Sequence, residues 1–297
     1  LRDNSGGLLE QSVMIGGLFM DGPIVQVRGQ YGNVERFDTR ANRIVWDGPL
    51  VVLVSKMSAS AAEILAGALK DHNRAIIVGD QHTHGKGTVQ ILFPMEQLFS
   101  KFRYKESLGA SRVTTQKWYR PSGLSTQIRG VESDIVYPSF DALLPVGESD
   151  LPHAIEWDSI DGLAINSCRE ITPEVFSQLK HLSQERQQKC PEFLLLNDRI
   201  SRLKKVLEVK GGAIHLGKRR MEKYEDEVIQ RTLDGRMQLL AKDNEPFKEI
   251  LLDAVEIRNG ERNAGKMQDS VEQKSERVDT HLKESLRVMV DFLRILR

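Results

Sequence analysis

Apolar positions follow two different patterns along this chain, and the change between them falls near residue 145. In the first part, short apolar runs alternate with segments whose apolar residues recur every three or four positions. Short apolar runs are typical of buried strands, and apolar residues at every third or fourth position are typical of helices. This part of the chain is therefore predicted to be α/β. The predicted strands are Pro23–Val27, Asn33–Phe37, Leu50–Val54, Ala75–Val78, Thr88–Leu92 and Ser111–Tyr119, and the predicted helices are Glu10–Phe19 and Ala61–Asp71.

The order of these elements predicts the fold class. The first two strands should form a hairpin around Gly29–Gly32. Short strands that then alternate with helices favour a mostly parallel sheet with helical cover. We therefore expect an α/β core in the first part of the chain.

The second part of the chain is richer in charge and follows the helical period. A stretch with Pro and Asp, Tyr137–Pro152, is predicted to be a linker. Amphipathic helices are predicted over Pro173–Gln188, Glu192–Val209, Arg219–Leu240 and Val271–Leu296, with breaks at Gly211-Gly212 and Asn259-Gly260. The sequence thus predicts two domains, an α/β core over residues 1–145 and an all-α domain over residues 146–297.

Composition and charge narrow the classes of function. The 42 Lys and Arg residues balance 42 Asp and Glu residues, so binding to a nucleic-acid backbone is not expected. No apolar run reaches the roughly 18 residues of a membrane-spanning helix. Cys168 and Cys190 fit no metal site, and we expect no metal or other cofactor. We interpret them as two thiols, although an oxidising compartment would permit a disulfide.

The most informative chemical pattern is an apolar strand that runs through a serine-containing turn into a helix. Ser58 and Ser60 lie in this turn, and the helix is predicted to begin at Ala61. The first backbone N–H groups of a helix lack partners, so a hydroxyl there lies beside donors for an oxyanion. Ser60 is the preferred nucleophile because the amide of Ala61 follows it directly, and Ser58 is the competitor. The alternative is that both serines only cap the helix.

A lysine on a glycine-flanked loop is the predicted base for this serine. Lys86 lies between Gly85 and Gly87. A serine hydroxyl is a weak nucleophile until a neighbour takes its proton, and a lysine can take it when its amine is neutral, which burial favours. Gln90 lies four residues later, and in an extended segment this even spacing puts both side chains on one face. Gln90 is therefore predicted to orient the amine, the alternative being a solvated polar residue of a strand.

Two histidines in the same loop provide a rival base. His82 and His84 could pair with the serine, with Asp80 as the apparent orienting carboxylate nearby. Loop histidines are usually only exposed, so the lysine is preferred. Gly6-Gly7 is the predicted second oxyanion donor, because glycine lets a backbone amide approach closely. An ordinary turn is the alternative for that pair.

These blocks resemble the motifs of the tail-specific, or C-terminal processing, serine proteases, most of all the long bacterial periplasmic type. The resemblance is dense over about residues 1–140 and sparse beyond. It lies in Leu1–Gly7, Ser58–Glu63 and Gly85–Gln90, and further in Gly123–Gln127 and Glu156–Ile160. It implies a Ser60/Lys86 dyad, Gln90 beside the lysine, and oxyanion donors on Gly7 and Ala61. One departure is an extra residue within Asp80–His84, which lengthens the loop before the lysine.

The resemblance also implies properties that the residues alone do not. The fold would be a ClpP- or crotonase-like core followed by a helical C-terminal domain. A preceding signal peptide, helical region, PDZ domain and first piece of the core would be missing, so this fragment alone is expected to be inactive. The enzyme would act in the periplasm on proteins with apolar or unstructured C-termini, with a lipoprotein adaptor as a further partner.

Substrate contacts are predicted on the strand Val113–Trp118, which could act as an edge that receives a peptide strand. Phe19, Ile24 and Trp118 are predicted to line an apolar specificity pocket. Two other functions compete with the protease. One is a non-catalytic scaffold or adaptor that binds partners through the helical half. The other is a crotonase-type acyl-CoA enzyme, which would use oxyanion donors with carboxylates.

Overall fold

A computed structural model describes residues 1–39, 44–97, 108–165, 171–208, 211, 214–242 and 279–297. The chain forms two compact units, one of residues 1–183 with 285–297 and one of residues 184–284. The catalytic candidates all belong to the first unit. The compact units divide at residues 183–184, whereas the predicted domain boundary at residue 145 stays a prediction.

The first unit contains a four-stranded antiparallel sheet with the strand order β2-β1-β6-β5. Its strands are β1 (Pro23–Arg28), β2 (Val34–Asp38), β5 (Thr88–Pro94) and β6 (Ala110–Tyr119). The predicted hairpin is present, because β1 and β2 pair antiparallel across the glycine-containing turn. A bulge lies where Val89–Gln90 of β5 face Thr114–Gln116 of β6.

A second sheet is parallel and carries the serine turn. It has three strands in the order β3-β4-β7, namely β3 (Val51–Val54), β4 (Ile76–Gly79) and β7 (Ile135–Val136). Two helices, α1 (Leu9–Gly16) and α2 (Ala61–Asp71), pack against each other. α2 connects β3 to β4, and its small and apolar side chains are buried from Ala61 to Leu69. The α/β class is confirmed, although the sheet predicted as one is divided into a parallel and an antiparallel part.

The segment predicted to be a linker is docked onto the core. Tyr137 is buried, and two 3₁₀ turns follow at Asp141–Leu143 and Glu148–Asp150. The ammonium of Lys56 donates to the carbonyl of Leu144 at 2.7 Å, which ties this segment to the loop after β3. Its Pro and Asp content indicated a break in regular structure, but polar partners from distant loops order it.

The remaining helices agree with the periodicity of the sequence, and residues 271–278 of the last predicted helix lie outside the described residues. They are α3 (Pro173–Lys189), α4 (Pro191–Glu208), α5 (Leu216–Lys242) and α6 (Thr280–Ile295). Within the second unit, α4 packs against α5, and the guanidinium of Arg186 donates to the buried carboxylate of Glu284 at 2.9 Å. The break at Asn259-Gly260 lies outside the described residues, as does Gly212 of the other predicted break.

The described part of the chain contains no helix that is both long and apolar enough to cross a membrane. Within those same ranges, no three His, Cys, Asp or Glu side chains are grouped as metal ligands. The thiol of Cys190 donates to the carboxylate of Glu192, and Cys168 lies outside the described residues.

Candidate active site

The predicted nucleophile, Ser60, occupies a strained turn between β3 and α2. Its φ of 57° and ψ of −119° place a non-glycine residue in a region of backbone conformation that side chains rarely adopt. Such strain persists only where surrounding contacts hold it, and it is concentrated at functional sites. The hydroxyl makes no capping hydrogen bond to the helix, and the residue is half-buried. The hydroxyl of Ser60 is therefore not used to cap the helix.

The competing serine is occupied by structural hydrogen bonds. Ser58 is fully buried, and its hydroxyl accepts from the amide of Ser55 at 2.9 Å and donates to the carbonyl of Leu1 at 2.8 Å. A hydroxyl with both roles filled, and without access to solvent, is poorly placed to attack a substrate. The structure thus favours Ser60 over Ser58 as the nucleophile.

The carboxylate of Glu63 connects the serine turn to the lysine loop. Its Oε2 accepts from the backbone amides of Ser60 at 2.8 Å and Lys86 at 3.0 Å. Its Oε1 accepts from the hydroxyl of Thr83 at 2.6 Å and the amide of Gly85 at 2.7 Å. One oxygen atom therefore holds the main chain of both members of the predicted dyad. Glu63 therefore does more than cap the start of α2.

Burial gives Glu63 an unusual acidity. The side chain is fully buried, and this loss of hydration raises its pKa from 4.5 to about 7. The hydrogen bonds from Thr83, Gly85, Ser60 and Lys86 act in the opposite direction, because they stabilise the charged form. The ionised form that accepts all four bonds thus competes with a protonated form near neutral pH.

The lysine loop is also held from its other side by the block Gly123–Gln127 and the residue after it. The amide of Ile128 donates to the carbonyl of Gly85 at 2.7 Å, and the side-chain oxygen of Gln127 accepts from the amide of Gly87 at 2.8 Å. A Cβ on Gly85, which has a φ of 95°, would lie 2.8 Å from the backbone of Ile128. This close packing explains why glycine precedes the lysine.

The side chain of Lys86 has no fixed partner in the described part of the chain. Its backbone is anchored at both polar atoms, with the amide on Glu63 and the carbonyl accepting from the hydroxyl of Thr126 at 3.2 Å. Its amine forms neither an ion pair nor a hydrogen bond with any described residue, and the residue is half-buried. A lysine that is fixed at its main chain and unpaired at its amine can act as a base rather than as half of a salt bridge.

Two backbone amides, those of Gly7 and Ala61, are the candidates for the predicted oxyanion hole. The amide of Ala61 is the first donor of α2, and neither it nor the amide of Gly7 has a hydrogen-bond partner among the described residues. The segment of Gly7 is fixed near the serine because the amide of Ala59 donates to the carbonyl of Asn4 at 2.9 Å. Gly6 has a φ of 97°, and a Cβ there would lie 2.7 Å from the Cβ of Ser60.

Replacing Gly6 by alanine should move this segment away from the serine. The added Cβ would also lie 2.6 Å from the carbonyl oxygen of Ala59. In the full-length protein, we expect kcat for the predicted peptide cleavage to fall about 100-fold, as for the loss of one oxyanion donor, with little change in KM. Gly32→Ala is the control, because Gly32 also has a positive φ, 82°, but open space around it. Equal activity of the two variants would contradict the role given to this segment.

Among the described residues, the other polar candidates, Gln90, His82 and His84, form hydrogen bonds with groups other than the side chains of Ser60 and Lys86. Gln90 is exposed, and its amide donates to the hydroxyl of Thr114 at 3.4 Å, so its role beside Lys86 stays a prediction. A ring nitrogen of His82 lies 2.7 Å from the carbonyl of Thr83. His84 is closer to the serine turn, since its amide donates to the carbonyl of Ser58 at 2.9 Å. Neither imidazole forms a hydrogen bond with Ser60.

The predicted substrate contacts divide between the core and the surface. Ile24 and Trp118 are buried in the hydrophobic core, and Phe19 packs partly buried against it, so these side chains do not form an open pocket here. Val113 is 43% exposed and pairs with Ile91 of β5. The β1 strand reaches only the Lys117–Tyr119 end of β6, so the β6 backbone around Val113 is paired on one side among the described strands.

Three residues that contact the main chain around the dyad were not predicted from sequence to do so. They are Glu63, Gln127 and Glu148. A signal for the first was present, because Glu63 is an acidic residue within the otherwise apolar first two turns of α2. Gln127 lies in a block that was noticed only as a motif. For Glu148 no sequence signal existed, since it is one of three acidic residues in the predicted linker.

Comparisons of the sequence with known proteins find two matching families. Residues 1–137 match Peptidase family S41, and residues 143–294 match the C-terminal domain of tail specific protease. The chain is 33% identical over 298 residues to the tail-specific protease of Haemophilus influenzae, covering 99% of this chain and 39% of that protein. It is 42% identical over 161 residues to the carboxy-terminal-processing protease of Bartonella bacilliformis, covering 51% of this chain and 34% of that protein.

A solved structure is also similar to part of this chain. The photosystem II D1 C-terminal processing protease is 32% identical, with a TM-score of 0.39 over 46% of this chain and 32% of that one. The chain spans less than two-fifths of the length of each of these relatives.

Proposed function

Since the chain belongs to the tail-specific proteases of peptidase family S41, we propose that it supplies the catalytic dyad of a serine endopeptidase, with Ser60 as nucleophile and Lys86 as base. One observation supports this proposal above all others. The backbone amides of Ser60 and Lys86 bind the same oxygen of the buried Glu63. This shared contact fixes the main chain of a strained serine relative to the main chain of a lysine whose amine has no partner among the described residues.

The first half of the reaction acylates the enzyme. The Oγ of Ser60 forms a bond to the carbonyl carbon of the scissile peptide while its proton passes to the neutral amine of Lys86. The carbonyl electron pair moves onto oxygen, and this oxyanion accepts from the amides of Gly7 and Ala61. When the intermediate collapses, the carbon–nitrogen bond breaks, and the Lys86 ammonium returns its proton to the leaving amine.

The second half releases the product. A water molecule gives a proton to Lys86 as its oxygen attacks the acyl carbon, and the ester bond to Ser60 breaks. The oxygen of Ser60 then recovers the proton. The same two amides stabilise the second oxyanion, so no metal or cofactor is needed in this scheme.

The substrates proposed here are proteins with apolar or unstructured C-termini in the periplasm, cleaved at or near those ends. The names of the relatives support processing at C-termini. The unpaired side of β6 around Val113 offers backbone donors and acceptors for a peptide strand, which would align the scissile bond without demanding a particular sequence. A lipoprotein adaptor remains a proposed partner.

The experiment compares two tails on one unfolded reporter protein, cleaved by the complete protease. A reporter with an apolar C-terminus should be cleaved about tenfold faster or more than one with a charged C-terminus, a difference of about 1.4 kcal/mol. Ser60→Ala should cleave neither. Equal rates for the two tails would contradict tail recognition, and cleavage by Ser60→Ala would contradict the assigned nucleophile. A protein that cleaves neither reporter would instead be a non-catalytic scaffold.

A further inference from the structure

The 3₁₀ turn Glu148–Asp150 lies against the lysine loop. The amide of Glu148 donates to the carbonyl of His84 at 2.9 Å, and its Oε2 lies 3.8 Å from the Nδ1 of His84. Its Oε1 accepts from the side-chain amide of Gln127 at 3.0 Å. The Glu148 side chain is only 13% exposed. A glutamate side chain is rarely buried unless it is paired, so this burial indicates that its contacts matter.

The fully buried Gln127 transmits this contact to the residue after Lys86. Its oxygen accepts from the amide of Gly87 at 2.8 Å while its nitrogen donates to Glu148. A primary amide has one accepting and one donating end, and a carboxylate can only accept. Glu148 therefore fixes which end of Gln127 faces Gly87. Without it, the amide could turn and set a donor against the Gly87 N–H.

The same turn is anchored to the loop that leads to the nucleophile. The Lys56 ammonium lies 3.6 Å from Asp150 Oδ2 as well as donating to the carbonyl of Leu144. Asp150 in turn accepts from the amide of Gly147 at 2.9 Å, which closes the turn on itself. Lys56 belongs to the loop between β3 and Ser60. The turn thus contacts both loops that carry the dyad.

We infer that Glu148 is a positioning residue for Lys86, acting through Gln127 on Gly87 and through the main chain of His84. It flanks the lysine on both sides without touching the reacting atoms. The inference rests on the proposed function, since it assigns a role only if Lys86 is the base. It gives the segment after the sheet a part in catalysis rather than in connecting domains.

The test compares two variants of one position in the complete protease. Glu148→Met keeps the size of the side chain but cannot accept the bond from Gln127, whereas Glu148→Gln can. We expect Glu148→Met to lower kcat on an unfolded protein substrate by about 10- to 100-fold with KM nearly unchanged, because a small misplacement of a reacting group is enough. Glu148→Gln should remain within about threefold of the wild type, as expected if the hydrogen bond matters more than the charge.

Three further variants make the result decisive. Gln127→Met breaks the same connection from its other end, and it decides the question if Glu148→Met does not fold. Combining the two substitutions should cost no more in kcat than the larger single effect. Glu132→Gln is the matched control, because Glu132 is exposed on a neighbouring loop and its side chain has no hydrogen bond or ion pair among the described residues.

Two outcomes separate this inference from the proposed function. If Lys86→Ala is inactive while folded Glu148→Met, or Gln127→Met in its place, cleaves at the wild-type rate, the role of Glu148 is overturned and the dyad stands. If Lys86→Ala cleaves normally, the proposed function itself fails. Equal losses in Glu148→Met and Glu148→Gln would also overturn the relay through Gln127.

Discussion

Lys86→Ala in the complete protease is expected to lower kcat for peptide cleavage by about 10⁴-fold, the upper range for the loss of a general base. The hydroxyl of Ser60 would keep its place, because Glu63 binds its backbone amide and not its side chain. No described group is hydrogen-bonded to this hydroxyl, so none is already in place to take the proton once Lys86 is removed. The measurement is the steady-state rate on an unfolded protein, with KM determined separately.

Folding and specificity need a control for this variant. The backbone contacts of the lysine loop do not involve the Lys86 side chain, so the melting temperature should stay within a few degrees of the wild type. Lys180→Ala removes an exposed lysine on α3 and should leave cleavage unchanged. Wild-type cleavage by folded Lys86→Ala would show that this lysine is not the base and would make His84 the next candidate for that role.

Glu63→Gln is expected to lower kcat by about 100-fold, because it disturbs the nucleophile and the base together. Glutamine replaces one oxygen by an NH₂ group. That group would face two donors, either the amides of Ser60 and Lys86 or the hydroxyl of Thr83 and the amide of Gly85. Two donors set against each other cannot form a hydrogen bond, so one side of the connection must move.

The same substitution should affect stability in a pH-dependent way. Burial raises the pKa of Glu63 from 4.5 to about 7, so the folded protein takes up a proton there that the unfolded chain takes up only near pH 4.5. The wild type therefore gains stability as pH falls through this window, and glutamine cannot. The loss of unfolding free energy in Glu63→Gln should be larger at pH 5 than at pH 8, by up to about 3 kcal/mol.

Glu10→Gln is the control for both measurements. Glu10 also lies in the first turn of a helix, α1, but it is exposed. Its substitution should change neither kcat nor the pH dependence of unfolding by a comparable amount. A Glu63→Gln enzyme with wild-type kcat would show that the connection through Glu63 is not needed for catalysis. A pH-independent stability difference would contradict the raised pKa.

Local features of the chain could be predicted from sequence. The bounds of α2, Ala61–Asp71, follow from a serine turn before it and small apolar residues within it, and they agree with the structure. The hairpin of β1 and β2 follows from its glycine turn. The hypothesis that Ser60, Lys86 and Gly7 form one site came from the order of the motifs, because periodicity alone does not suggest it.

Contacts between distant segments could not be predicted in this way. Sequence alone does not distinguish an apolar residue that lines a pocket from one that lies in the core. For Trp118, the pairing of β1 with β6 places the side chain in the core. The role of Glu148 depends on a turn that reaches back to His84 over a large separation in sequence. Composition indicated a linker there because it records residue types and not their partners.

The most direct test of the dyad is to identify the acylated residue by mass spectrometry. The complete protease would be quenched with acid during turnover of a slowly deacylating ester substrate and then digested and sequenced by fragmentation. We predict an acyl group on Ser60 in the wild type, none in Ser60→Ala, and a much slower appearance in Lys86→Ala. An adduct on Ser58, or acylation of Ser60 at an undiminished rate without Lys86, would contradict the account.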